Sequence, residues 1–390
     1  MVLENKFPFD ERVEKEALSL ISAGHEVHLA CATLKNEPKN ERYKGIFLHR
    51  VNSSKFIYKK ARVACLTTPF YFSFWTKFIQ QLLSNDSFDV IHIHDLPLAK
   101  VGIKLAEKMG IKVLVDFHEN FPFMLKEEEY TKTIIGKIIS PINKWINYEQ
   151  KTLKKLDNAV FVCKEMKQRM SKLAHVQNSI ELDNTIDIKR WPAWQEQDKS
   201  DKYIRTIYVG GFTIKRGIEV AIKGLAQFNK TSEHKATLDL FGSGRKEYIN
   251  SLLKLAEEEG VADFVKFKGY INLPEDAQML SAYHVGLIPH LKNTHTDNTS
   301  PNKIFQYYNY KLPVLCSDCN YLVRIVDETK GGLIYNNQSP DDFAKKLHSM
   351  RTNGKLKKYG EAGYNAVQSK YNWDKSVESL IDLYTKISII

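Results

Sequence analysis

Apolar and polar positions along this chain repeat with two periods in turn. Short apolar runs that alternate by two are followed by longer stretches in which apolar residues return every three or four positions. Residues 12–23 place Val13, Ala17 and Leu20/Ile21 on one helical face, and Gly24 suits the position just past the helix end. Residues 25–31 then alternate, with Val27, Leu29 and Cys31 on one side. The same reading predicts a strand at 89–95 through Ile91 and Ile93, a helix at 96–109, a strand at 111–117, a helix at 134–156 and a strand at 158–163. In the second half, a strand at 205–209 ends in Gly210 and Gly211, and a helix over 217–228 turns Ile218, Ile222 and Leu225 inward. Strands are predicted again at 236–241, 264–268, 284–288 and 313–316, each with a helical stretch behind it.

Near-continuous apolar strands separated by helices predict an α/β chain whose parallel sheets are covered on both faces. Residues 182–203 break the rhythm: they are polar, hold Trp191-Pro192 and show no period, so they are expected to connect two domains. The predicted organisation is two Rossmann-like doubly wound domains at 1–182 and 204–370, a linker at 183–203 and a tail at 371–390. Such sheets bind ligands at the carboxyl ends of their strands, so two of them facing each other would put the site in the cleft between them.

Composition narrows the class. With 43% hydrophobic and 11% aromatic residues the chain is no disordered or low-complexity sequence. Five cysteines at 31, 65, 163, 316 and 319 are odd in number and irregular in spacing, which argues against a disulfide framework. Without an apolar run of 18 residues or a signal-like start, a cytoplasmic protein is expected, placed at most at the inner face of the plasma membrane. The net charge is +11, and residues 1–190 carry 30 basic and 23 acidic groups of it. Residues 42–85 hold eight Lys or Arg and no Asp or Glu. There Lys55, Lys59, Lys60, Arg62 and Lys77 interleave with Phe56, Tyr58, Phe70, Tyr71, Phe72, Phe74, Trp75 and Phe78. Over 55–78 this suits contact with an anionic membrane or a lipid-linked acceptor, or else a core helix with a solvated basic rim. The remaining charge is too mixed for a nucleic-acid binder.

Three constellations could carry chemistry. In Tyr208–Gly217 a strand ends in Gly210 and Gly211, a loop brings Lys215 and Arg216, and a helix begins near Gly217. Glycines let backbone N–H groups approach an anion, a helix start adds partial positive charge, and a cation completes the site. The alternative is an ordinary strand–turn–helix corner. In the second, 298–308, Ser300 is expected as N-cap and Pro301 as first helical residue. Amides from Thr299 through Asn302 to Lys303 would then face an anion, with Gln306 on the face of Asn302. The alternative is a capped helix start in solvent. Third, His92, His94 and Asp95 end one strand, and Asp116, His118 and Glu119 end the next. They could hydrogen-bond a polar ligand, fill structure, or hold a metal in a hydrolase using His92, His94, Asp116 and His118.

Taken in order, Asp10–Ala17, Ala23–Val27, Asp89–Asp95, Asp116–Glu119, Gly210–Gly217, Gly269-Tyr270, Val285–Pro289, Pro301–Gln306, Lys311–Val314 and Gly331–Leu333 resemble the retaining, nucleotide-sugar-dependent glycosyltransferases of family 4, which have the two-domain GT-B fold. The resemblance spans nearly the whole chain, and it implies an acceptor-binding first domain and a donor-binding second one. Arg216 would hold the donor diphosphate, and amides around Thr299–Asn302 the phosphate or sugar. Gln306 would meet the ribose, and the backbone at Tyr270 and Ile271 the base. His118 would face the reacting sugar, with Asp10 and Arg12 opposite. His94, Asp95 and Glu119 join that acceptor side, and Asn298 joins His118 and Arg216 among the catalytic candidates. The tail at 371–390 would cross back onto the first domain.

The family's two glutamates, eight positions apart, are Asn298 and Gln306 here; amides hydrogen-bond but bring no charge. Its first-domain glycine pair is replaced by Phe7-Pro8-Phe9, and a basic residue of the second-domain loop by Gly211. The short first strand, Val2-Leu3-Glu4, is what a truncated start would give. The resemblance implies metal-independent, front-face transfer of a hexose from a nucleoside-diphosphate sugar to a glycan or lipid-linked glycan of a bacterial surface polysaccharide. The rival within the family is a non-catalytic sugar-nucleotide-binding subunit.

Overall fold

The computed structural model describes residues 1–35, 37–62, 64–197 and 202–388. It divides into two compact units, Met1–Asn184 with Ser376–Ile390, and Thr185–Lys375.

The first unit holds eight strands: β1 (Val2–Leu3), β2 (His28–Thr33), β3 (Asn40–Tyr43), β4 (Ile46–Asn52), β5 (Val90–His94), β6 (Lys112–Phe117), β7 (Asn158–Phe161) and β8 (Asn178–Glu181). They form one sheet in the order β3-β4-β2-β1-β5-β6-β7-β8, parallel except for the β3–β4 pair. The order runs outward both ways from β1, so the sheet is doubly wound and its switch point lies between β1 and β5. The β3–β4 hairpin was not predicted. Lys44 and Gly45, both with positive φ (48° and 92°), make its two-residue turn, a conformation that matches strand twist. The predicted helix over 134–156 is two helices, Ile134–Ile139 and Ile142–Leu153, because Pro141 between them has no N–H to continue the ladder.

The second unit holds β9 (Tyr203–Val209), β10 (Lys235–Phe241), β11 (Val265–Gly269), β12 (Val285–Ile288), β13 (Val314–Ser317) and β14 (Gly332–Tyr335). All are parallel, in the order β11-β10-β9-β12-β13-β14. Ile207, Ile222, Leu225, Leu238, Leu240 and Leu287 are fully buried between sheet and helices, which is why these strands read as unbroken apolar runs. Residues 185–197 are ordered on this unit. Ile186 bridges to Asn372, Trp191 is buried against Tyr310, and the Tyr310 hydroxyl donates to Pro192 O at 2.6 Å. Residues 198–201 of the predicted linker lie outside the described residues. The last helix, Trp373–Ser388, starts in the second unit, and from Ser376 its residues belong to the first.

Candidate functional site

Two polar clusters form at strand ends, one in each unit. In the first, β5 and β6 deliver His92, His94 and Asp116 side by side, with His94 in register with Asp116. Helix Glu11–Ser22 brings Arg12 and Glu16 one turn apart onto the same spot. Arg12 donates to both Asp116 oxygens from Nε and Nη2 at 3.0–3.1 Å, and from Nη1 to Leu182 O at 2.9 Å. The His118 ring lies with Nε2 2.9 Å from Asp116 Oδ2 and 3.1 Å from His94 Nδ1. Its backbone N–H donates to Asp95 Oδ1 at 3.1 Å. Asp95 adopts φ +70°, a conformation costly for an L side chain, which aims its carboxylate at the His118 backbone.

Charge in this cluster is assigned by neighbours. Burial alone would raise the Asp116 pKa, but Arg12 and His118 outweigh it and hold the carboxylate well below its usual range. Burial would likewise discharge His118, yet Asp116 and Asp95 raise it to about 10, so the ring is doubly protonated at neutral pH. Burial, with His92 and His118 alongside, keeps His94 well below the ordinary histidine value and therefore neutral. Burial also lowers His92 to about 3, and its Nδ1 pairs with the Tyr384 hydroxyl at 2.8 Å. Burial and then Asp116 push the Glu16 carboxyl well above its ordinary value, so it is neutral. Burial moves Asp95 up to about 6. The cluster therefore presents a cationic ring, a donor rather than a base.

Glu16, His92, His94 and Asp116 offer ligand atoms within 4.8 Å of one another, close enough for a metal. Asp116 Oδ2 accepts from Arg12 and His118, and His94 Nδ1 pairs with His118, whereas among the described residues Glu16 Oε2, His92 Nε2 and His94 Nε2 are buried with no hydrogen-bond partner. A dication there would also face the Arg12 guanidinium. The hydrolase alternative takes His118 where this group has Glu16, and the His118 ring, held protonated by Asp116 and Asp95, offers no lone pair to a metal.

In the second unit, β9 ends in Gly210, whose N–H donates to Phe241 O at 2.9 Å. Gly242 packs against it so closely that a Cβ there would sit 1.9 Å from Gly210 O. The turn Ile214–Arg216 then leads to Gly217, at φ +62° and with Pro289 O 1.9 Å from where a Cβ would be, so only glycine fits. Arg216 Nη1 lies 2.8 Å from Nε2 of His290. Burial, Arg216 and Lys303 keep that ring well below the ordinary value, neutral and able to accept. Lys303 is 7% exposed, and its ammonium lies 4.1 Å from the centre of the Tyr208 ring. It reaches the same turn, with Nζ 2.8 Å from a Cβ position on Gly210. Among the described residues no hydrogen-bond partner meets this Nζ. Burial first and Arg216 second hold its pKa well below that of an ordinary lysine.

The structure thus gathers Gly210, Gly211, Arg216 and Lys303 at the carboxyl end of β9. Gly242 N–H donates to Gly269 O, so Tyr270 follows at the end of the strand two places over, with its ring 80% exposed and Ile271 buried. Several expectations need correction. Ser300 is no N-cap: its hydroxyl donates to Tyr321 at 2.7 Å, Thr299 and Pro301 are non-helical, and the helix is Lys303–Asn309 with Asn302 before it. Asn298 already spends its amide on Thr294 O at 2.7 Å, while Gln306 is buried on the helix. Asp10 caps its helix through Val13 N–H. Glu119 is half-buried beside His118, and Lys215 fixes the turn through its carbonyl, which accepts from Leu291 N–H. Of the aromatic stretch, Tyr71 and Trp75 are core, and Glu4 binds both Tyr71 and Arg62, so these do not face a membrane. Phe56 and Phe70 are exposed; Val63 and the side chains of Tyr58, Lys59 and Lys60 lie outside the described residues. No site role was read for Glu16, Tyr208 or His290, although Glu16 stands four residues from Arg12 and His290 lies two residues past a predicted strand.

Residues 12–190 match the family described as Glycosyltransferase Family 4, and residues 204–353 match Glycosyl transferases group 1. A curated relative, an uncharacterized glycosyltransferase of Methanocaldococcus jannaschii, is 20% identical over 192 residues; the match spans 49% of this chain and 47% of that one, about half its length. Among solved structures, sucrose-phosphate synthase of Thermosynechococcus elongatus superposes with a TM-score of 0.77 at 16% identity, over 96% of this chain and 92% of that one. A HepE protein of Anabaena in complex with UDP gives 0.70 at 11% identity, over 99% of both chains. An E. coli trehalose-6-phosphate enzyme bound with UDP-2-fluoro glucose gives 0.73 at 11%, over 100% and 98%. At these identities the likeness concerns the fold, which is GT-B: two α/β units with parallel sheets.

Proposed function

The chain belongs to glycosyltransferase family 4, and from that premise we propose that it moves a hexose from a nucleoside-diphosphate sugar to a glycan or lipid-linked glycan acceptor, without a divalent metal. One observation carries this reading: the second unit buries the Lys303 ammonium, which has no hydrogen-bond partner among the described residues, next to a guanidinium, Arg216, at the glycine-rich end of β9. Two cations beside glycines that admit an anion are what a departing diphosphate requires, and a preorganised pair stabilises its charge most where water is excluded. The ligands bound in two solved structures of this fold, UDP and UDP-2-fluoro glucose, support the donor class. Lys303 also answers a departure noted above, since it supplies at Gly210 the cation that Gly211 cannot. On the first unit, the protonated His118 is suited to donate to a sugar hydroxyl or phosphate oxygen, oriented by Asp116 and Asp95. We assign Thr299, Asn302 and Gln306 to the donor side, and Asp95 and Glu119 to the acceptor side.

A panel of nucleoside diphosphates and their sugars in thermal unfolding tests this, because a ligand that binds only the native state raises its stability by mass action. The matching diphosphate should shift the midpoint, and Lys303→Met should remove the shift. If no nucleoside diphosphate shifts either protein, the donor site is misassigned. Turnover of a hit separates the enzyme from a non-catalytic binding subunit, the reading that the amides at Asn298 and Gln306 favour.

A further inference from the structure

We propose that His290 is a positioning residue for the donor: it holds Arg216 in place through a hydrogen-bond acceptor that adds no negative charge to the diphosphate site. The inference rests on the diphosphate reading of that site. His290 stands two residues past β12 and is 2% exposed, while Arg216 is half-buried in the turn Ile214–Arg216. Arg216 Nη1 lies 2.8 Å from His290 Nε2. A guanidinium carries donors only, so the imidazole accepts at Nε2 and keeps its ring proton on Nδ1. The contact therefore exists only with a neutral ring.

The backbone around the pair fixes it from both sides. Leu291 N–H donates to Lys215 O at 3.0 Å, which ties the residue after His290 to the residue before Arg216. Gly217 lies under Pro289, whose carbonyl oxygen would be 1.9 Å from a Cβ there. The Cys319 thiol donates to His290 O, with Sγ 3.6 Å away. His290 is thus held by its neighbours without any ligand, and it in turn holds Arg216, a long side chain with many rotamers to lose.

The choice of acceptor matters. A carboxylate would hold a guanidinium more strongly, but it would cancel the charge that a diphosphate needs and repel the ligand itself. The charged and titratable groups that face the His290 ring are Arg216 and Lys215 from the turn, Lys303 from its helix and His295 from the segment between β12 and that helix. Each of them disfavours a proton on the ring. A neutral acceptor in this cationic corner orients Arg216 and leaves its whole charge to the ligand. A cation that is already ordered also relieves binding of the entropy of ordering it.

Titration calorimetry of the full chain with UDP, GDP, ADP and CDP tests this on three variants. His290→Gln keeps a neutral acceptor and should bind the nucleotide that the wild type binds within about twofold of it. His290→Leu fills the space without accepting, so the ligand has to order Arg216 itself, and affinity should fall about three- to tenfold. His290→Glu accepts but brings a like charge to the ligand, and affinity should fall more than about tenfold. In an Arg216→Ala background His290→Leu should have no further effect, whereas a purely structural role weakens binding equally in both backgrounds. The proposal is overturned by His290→Leu binding like wild type, by His290→Glu binding as tightly as His290→Gln, or by effects that add in the double variant. If His290→Leu does not fold, the comparison of Gln with Glu decides alone. In each case the diphosphate reading stands as long as Arg216→Ala and Lys303→Met still weaken binding. A wild type that binds none of the four nucleotides, or Arg216→Ala and Lys303→Met that bind like wild type, overturns that reading and the role of His290 with it.

Discussion

Replacing Lys303 by Met should make the free protein more stable and the donor complex weaker. In the free state the ammonium is buried, hydrogen-bonded to nothing among the described residues and repelled by Arg216. The Tyr208 ring at 4.1 Å returns only part of the lost solvation. An unsatisfied buried polar group costs about 1–3 kcal/mol, and methionine of similar volume removes it. For a unit of this size that gain is a midpoint rise of roughly 2–12 °C. Bound to a diphosphate, the same ammonium makes a charge-assisted hydrogen bond worth about 1.5–3 kcal/mol. Its loss weakens nucleoside-diphosphate affinity about 10- to 150-fold. Proton linkage supplies a second signature. The folded pKa is depressed below the unfolded one, so between the two the unfolded chain binds more protons and apo stability rises with pH. An incoming diphosphate raises the Lys303 pKa again, so at pH values between the free and the bound pKa wild-type binding should take up a proton, seen in calorimetry as a buffer-dependent enthalpy that the Met variant lacks. Apo and ligand-bound thermal unfolding with titration calorimetry measures all of this. A Met variant that is less stable when free, or that binds the nucleotide as tightly as wild type, refutes the reasoning.

Arg216→Ala should weaken nucleoside-diphosphate-sugar binding by at least about 1.5 kcal/mol, checked by the same calorimetry; unchanged affinity removes the turn from the site. Arg12→Ala should destabilise the protein by about 3–5 kcal/mol, because it leaves the buried Asp116 carboxylate facing His118 alone; urea unfolding reads the loss. His118 has a folded pKa raised from the usual 6.5 to about 10, so its contribution to stability is complete below about 6.5 and fades as pH climbs through 10. Urea midpoints should therefore fall across that window, and His118→Gln should flatten the fall; an equal slope in both proteins would show that another group titrates.

Sequence periodicity alone determined the class of fold. Buried parallel strands have to be apolar throughout, and helices packed on them have to repeat by three or four, so β5, β6, β9 and β12 were legible within a residue or two. The pattern also marked the loop at Gly210–Gly217 and the His-rich ends of β5 and β6, because glycines at a strand end and polar groups in an apolar run are anomalies that packing does not explain. It missed the β3–β4 hairpin, where a charged edge strand carries no apolar signature, and it misplaced the helix start at 300–303 because Ser300 spends its hydroxyl on Tyr321. Whether a charge is paired was decided only in three dimensions. Lys303 looks like any helical lysine until β9 and Tyr208 close around it. His118 becomes a fixed cation only because Asp116 and Asp95 arrive from two other positions in the chain. Solvation and Coulomb energy depend on neighbours through space, and a linear sequence does not contain those distances.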